Sequence, residues 1–207
     1  VSSTRRLLRL ARKTGKRIHV LHISTAEEME LLRDAKDLAS VEVLPNHLTL
    51  AAPDCYERLK GFAQQNPPVR EQRHQDALWR ALNAGIVDVL ATDHAPHTRE
   101  EKERPYPASP SGMPGVQTLV PVMLTHVNNG KLSLQRFVEL TSAGPQRVFG
   151  LADKGRIAEG YHADFTVVDL KRKETITEDW SKSKCGWTPY DGFEATGWPV
   201  ATIIRGG

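Results

Sequence analysis

Three short runs of this chain are apolar almost throughout, and they restrict its fold more than any other feature. Ile18 to Ile23, Val41 to Leu44 and Ile86 to Thr92 lack the clean in–out alternation of a sheet with one wet face. Strands buried on both sides belong to parallel sheets covered by helices. The intervening segments supply those helices. Leu7, Leu8, Leu10 and Ala11 share a face that ends near Gly15, a usual helix-stop residue. Ser24 and Thr25 open a second helix with two overlapping capping-box patterns, to Glu27 and Glu28, and Met29, Leu32, Ala35 and Lys36 continue it. Pro45 closes the middle strand. Arg73 to Ala84, Val116 to Val127 and Leu134 to Leu140 read as further helices.

From Gly155 the pattern changes to short strands and turns: Phe165 to Leu170, Glu174 to Thr177 and Ala201 to Ile204. The reading is an α/β body over residues 1–150 and a small β module over residues 151–207. Both ends read as cut, because Thr4 to Ala11 is already a helix in progress and the chain stops directly after an apolar run.

Composition excludes some classes. With 39% hydrophobic and 26% charged residues, the chain is of ordinary globular type. Its net charge of +3 comes from scattered basic residues without aromatic interleaving, which suits solvated helix faces better than a nucleic-acid surface. No apolar run approaches the roughly 18 residues that span a bilayer. Cys55 and Cys185 are far apart and lack metal-type spacing, so a reduced, cytoplasmic protein is expected.

Ligand-capable side chains gather where the strands end. His22 ends the first, Asn46 and His47 follow the second, and Asp93, His94 and His97 end the third. In a parallel α/β barrel that edge carries the active site. Strand alternation puts Ile18, Val20 and His22 on one face, and Val89, Ala91 and Asp93 on one face. His22 and Asp93 are thus expected to point inward together. Singly, such a histidine is more often a satisfied structural residue, and such an aspartate a turn cap. The crowding of Asp93, His94 and His97 within five residues shifts that balance, since burying them unpaired is costly. One imidazole and one carboxylate make part of a divalent metal site but do not close one.

The strings "HVLHIST", "NPPVR" and "TDHAPH", in that order, resemble the longer-chain bacterial dihydroorotases of the amidohydrolase superfamily. "GRIAEGYHADFTVVD" is similar to the small β domain of that superfamily, and "WTPYDG" to its dihydroorotase and allantoinase branch. The resemblance implies strands six to eight of a (β/α)8 TIM-type barrel followed by part of a β-sandwich domain. It implies His22 as a metal ligand and Asp93 as both metal contact and general base and acid. Asn66, His97, Pro110 and Gly112 would meet the substrate, dihydroorotate. Zinc ions would generate the nucleophile and polarise the ring carbonyl, while Asp93 moves the proton to the leaving nitrogen. The other ligands of the binuclear site would lie upstream of Val1, so the 207-residue chain is expected to be inactive alone and to bind zinc weakly.

Asn46-His47 departs from the two histidines common at that position, a change expected to affect the loop and not the metals. His19, His74, His126 and His162 read as structural or exposed. The intact protein would be a homodimer, with aspartate carbamoyltransferase as a further partner. Allantoinase and hydantoinase are alternative activities. A non-catalytic scaffold for aspartate carbamoyltransferase is the alternative of another class.

Overall fold

Residues 1–207 are described by a computed structural model. Strands β1 (Ile18–Val20), β2 (Ala39–Val43) and β3 (Val89–Leu90) form one parallel sheet in that order, and β4 (Phe165–Thr175) pairs antiparallel with β5 (Glu194–Ile203). The helices are α1 (Ser2–Thr14), α2 (Ala26–Arg33), α3 (Pro45–Thr49), α4 (Asp54–Leu59), α5 (Gln72–Asn83), α6 (Arg99–Lys102), α7 (Leu119–Asn128), α8 (Leu134–Val138) and α9 (Gly144–Phe149). The fold is mixed α/β.

The parallel sheet follows from its burial. All five residues of β2 are buried, with Ile18 opposite Ala39 and Val43 opposite Leu90. Leu32, Leu78, Leu82, Met123 and Leu124 close over the sheet, each nearly inaccessible. Side chains of this size contribute roughly 1.5–3 kcal/mol each when fully buried.

Helix α1 stops at Gly15, whose φ of 66° is left-handed. Of the two capping patterns at α2, the chain uses the second: the Thr25 hydroxyl accepts from the Glu28 N–H at 3.3 Å and donates to the Glu28 carboxylate at 2.7 Å.

Several elements differ from the sequence reading. Helix α2 ends at Arg33, so Ala35 and Lys36 lie in the turn beyond it. Pro45 closes β2 but also begins α3, because a missing N–H costs nothing in a first helical turn. The helix read over Leu134 to Leu140 is α8 running through a π-helical turn, Glu139–Ala143, into α9. The two strand readings before Thr177 merge into β4. A register shift between Asp169 and Lys173 bends it, and the Asp169 carboxylate accepts from the Lys171 and Arg172 N–H groups at the bend.

A second core joins the two sequence regions. Leu50, Cys55, Val69, Met113 and Val122 pack with Ile176, Trp187, Tyr190 and Trp198. Strand β5 also lies directly on α7: a Cβ at Gly197 would sit 2.6 Å from the Leu124 Cβ, so only glycine lets the two backbones approach this closely.

Candidate active site

His22 and Asp93 lie just beyond the C-terminal ends of β1 and β3, the two outer strands of the parallel sheet. Their φ angles are 38° and 46°. Non-glycine residues rarely adopt this left-handed region, and those that do concentrate where function requires a particular backbone. The alternation argument for their orientation does not apply, because the regular strands end at Val20 and Leu90, before either residue is reached.

What holds the His22 turn is Glu42 of β2. One carboxylate oxygen accepts from the His22 backbone N–H at 3.3 Å, and the other lies 3.2 Å from His19 Nε2. His19 Nδ1 also meets the Ser40 hydroxyl at 2.8 Å. His19 is therefore a structural residue, and Glu42 is one the sequence reading missed. Its signal was a lone charge inside an otherwise buried strand.

His22 is half-buried and Asp93 exposed. Neither takes part in an ion pair of the chain. Imidazole nitrogen and carboxylate oxygen are both donors that zinc accepts, and two of them leave half of a four-coordinate shell open. No group of three or more histidine, cysteine, aspartate or glutamate side chains with metal-binding geometry occurs in the chain. Both cysteines are free and buried.

The residues assigned to substrate come from three segments, around Asn66, at His97 and at Pro110–Gly112. His97 Nε2–H donates to the Ser111 carbonyl at 3.2 Å, and the Trp187 indole donates to the His97 carbonyl at 2.8 Å. Gly112, at φ 147°, packs so tightly on this turn that a Cβ would stand 2.6 Å from the Ala95 carbonyl oxygen. Asn66 is exposed on the rim of a cavity of about 1160 Å³ that Gln64, Gln65, Lys102 and Ser111 also line. Pro110 sits beside Ser111, its carbonyl bound by Lys102. The cavity brings Asn66 together with Ser111; of the other predicted site residues, His22, Asp93, His97, Pro110 and Gly112 are not among its lining residues.

The Asn46-His47 pair supports the Asn66 segment from below. Asn46 Nδ2–H donates to Gln65 Oε1 at 2.9 Å. His47 Nε2 lies 2.7 Å from the Gln65 amide nitrogen and 3.0 Å from the Pro67 carbonyl. Burial brings the His47 pKa down to about 4, so the ring is neutral at physiological pH, with Nδ1 left unpartnered. The third histidine of this edge, His94, accepts at Nδ1 from the Gly115 N–H at 3.0 Å and the Val116 N–H at 3.4 Å. It latches the following loop, a role that spacing alone did not reveal. His74 is buried, His126 half-buried and His162 exposed.

The chain is 41% identical over 207 residues to the dihydroorotase of Pyrococcus furiosus, covering all of this chain and 48% of that protein. It is 39% identical to the dihydroorotase of Methanosarcina acetivorans, over 99% of this chain and 46% of the relative. The chain thus spans about half the length of the curated relatives it matches. Among solved structures, L-hydantoinase (dihydropyrimidinase) from Arthrobacter aurescens superposes with a TM-score of 0.95 at 33% identity, covering 100% of this chain and 47% of that one. D-hydantoinase from Thermus sp. gives 0.92 at 29% identity, over 98% and 46%. The model of the amidohydrolase family matches residues 4–206. With nearly every residue inside that match, the chain belongs to the amidohydrolase family.

Proposed function

We propose that this chain is the C-terminal part of a zinc-dependent dihydroorotase, which interconverts dihydroorotate and N-carbamoyl-aspartate. Residues 1–150 would form strands six to eight of a (β/α)8 barrel with their helices. Residues 151–207 would form part of the small β-sandwich domain. The observation that carries the reading is that His22 and Asp93 both follow the C-terminal ends of strands of one parallel sheet, within a chain about 40% identical to dihydroorotases along its whole length.

His22 and Asp93 would hold zinc together with ligands from outside these 207 residues. When bound, zinc supplies a nucleophile at neutral pH and polarises the ring carbonyl. Asp93 takes a proton from the attacking water and delivers it to the departing amide nitrogen. Asn66, His97 and the Pro110–Gly112 backbone orient the ring so that the reacting atoms approach contact distance. A homodimer, association with aspartate carbamoyltransferase and a cytoplasmic location belong to the same proposal. No helix of the chain is long and apolar enough to cross a membrane.

The hydantoinase structures favour a second reading, a hydantoinase acting through the same metal scheme. Asn66 before Pro67-Pro68 and the "TDHAPH" string support dihydroorotase over it. A substrate panel on the longer enzyme decides between them. Dihydroorotate should give the highest kcat/KM, and faster turnover of hydantoin or allantoin would overturn the choice. An enzyme inactive on all three would favour the scaffold reading.

A further inference from the structure

Lys102 closes helix α6 five residues after His97, and its side chain is wholly buried. It has no carboxylate partner. Burial lowers its pKa to about 8. An unpaired ammonium inside a protein is costly unless other groups satisfy it. Here two carbonyls do so: Nζ donates to Gln64 O at 3.0 Å and to Pro110 O at 2.8 Å. The Trp187 ring adds a π face 5.7 Å away.

Those two carbonyls belong to different loops. Gln64 lies two residues before Asn66, and Pro110 begins the segment that ends at Gly112. The same junction is closed by the Gly112 N–H, which also donates to Gln64 O, at 2.9 Å. The Gln64 amide reaches the Ser111 hydroxyl at 3.4 Å. A methionine would fill the same space without these bonds, so packing does not require a lysine here.

We propose that Lys102 is a positioning residue that sets the spacing between the Asn66 loop and the Pro110–Gly112 loop, and through it the fit of the cyclic substrate. The proposal rests on the dihydroorotase reading for the identity of that substrate. It does not rest on that reading for the coupling of the two loops.

The test uses Lys102→Met and Lys102→Gln in the longer enzyme. Met removes both donations, and Gln retains an N–H donor. KM for dihydroorotate should rise about tenfold in the Met variant and less in the Gln variant, with kcat within about threefold of wild type. Zinc content should not change. The Met variant should melt somewhat lower than wild type, since the Pro110 carbonyl loses its Lys102 donor, and the Gln variant should melt between the two.

Hydrogen exchange at the Gly112 amide gives a readout independent of activity. It should quicken at least about tenfold in the Met variant while the β2 amides stay unchanged. Unchanged KM together with unchanged Gly112 exchange would overturn the proposal, as would equal loss of folding in both variants. A wild-type enzyme that turned over no cyclic amide, yet showed the exchange effect, would remove the dihydroorotase reading and leave the coupling standing.

Discussion

The Tyr190 hydroxyl donates to the Asn46 side-chain carbonyl at 2.8 Å, across 144 residues of sequence and entirely within the protein. Asn46 passes the contact on to Gln65, the residue before Asn66. The "WTPYDG" segment is thereby tied to the end of β2 and, through Gln65, to the Asn66 segment. Burial holds the Tyr190 phenol well above its ordinary pKa, so it remains a donor at any physiological pH. Tyr190→Phe strips the bond and leaves the Asn46 oxygen buried without it. The variant should lose about 1–3 kcal/mol of stability, read from the midpoint of urea unfolding at unchanged m-value.

Removing either proposed zinc donor should abolish chemistry without unfolding the chain, because neither side chain is part of the core. His22→Ala and Asp93→Asn in the longer enzyme should each lower kcat/KM by at least about a hundredfold. His22→Ala should also lower the zinc content measured by elemental analysis. A chelator should silence the wild type, and added zinc should restore it.

Gly112→Ala places a methyl against the Ala95 carbonyl and close to His97 Cδ2, at a φ that alanine does not tolerate. Destabilisation of about 1–3 kcal/mol is expected from the strained backbone. KM for dihydroorotate should rise as His97 shifts. Thermal melting and steady-state kinetics on the same preparation check both.

Burial, and secondarily the nearby Lys131 charge, lowers the His126 pKa to about 4. Its ring meets the Thr49 hydroxyl at 2.9 Å and the edge of Trp79 at a centroid distance of 5.0 Å. The unfolded chain takes up this proton near pH 6.5, and the folded one only near pH 4. The His126 contribution is therefore complete above about pH 6.5 and is lost as pH falls toward 4. Its loss should cost on the order of 3 kcal/mol. His126→Gln should flatten the fall in melting temperature across that window.

The 207-residue chain purified alone should not turn over dihydroorotate with added zinc, and it should bind zinc weakly. Two donors leave the coordination shell incomplete, and the three-stranded sheet has an unpaired edge at both β1 and β3. Appreciable turnover in that assay would contradict the metal scheme proposed here.

Sequence alone determined the parallel α/β body, because strands apolar on both faces have few other ways to bury themselves. It also marked the edge where His22, Asp93 and His97 would gather, and the resemblance of "TDHAPH" and its neighbours carried the family. Tertiary structure alone decided what holds that edge in place. Glu42 under the His22 turn, Tyr190 on Asn46 and Lys102 between two loops each join residues 20 or more positions apart or span separate loops. Such contacts leave no periodicity to read. A buried charge or hydroxyl reveals its partner only once packing has removed the water that would otherwise satisfy it.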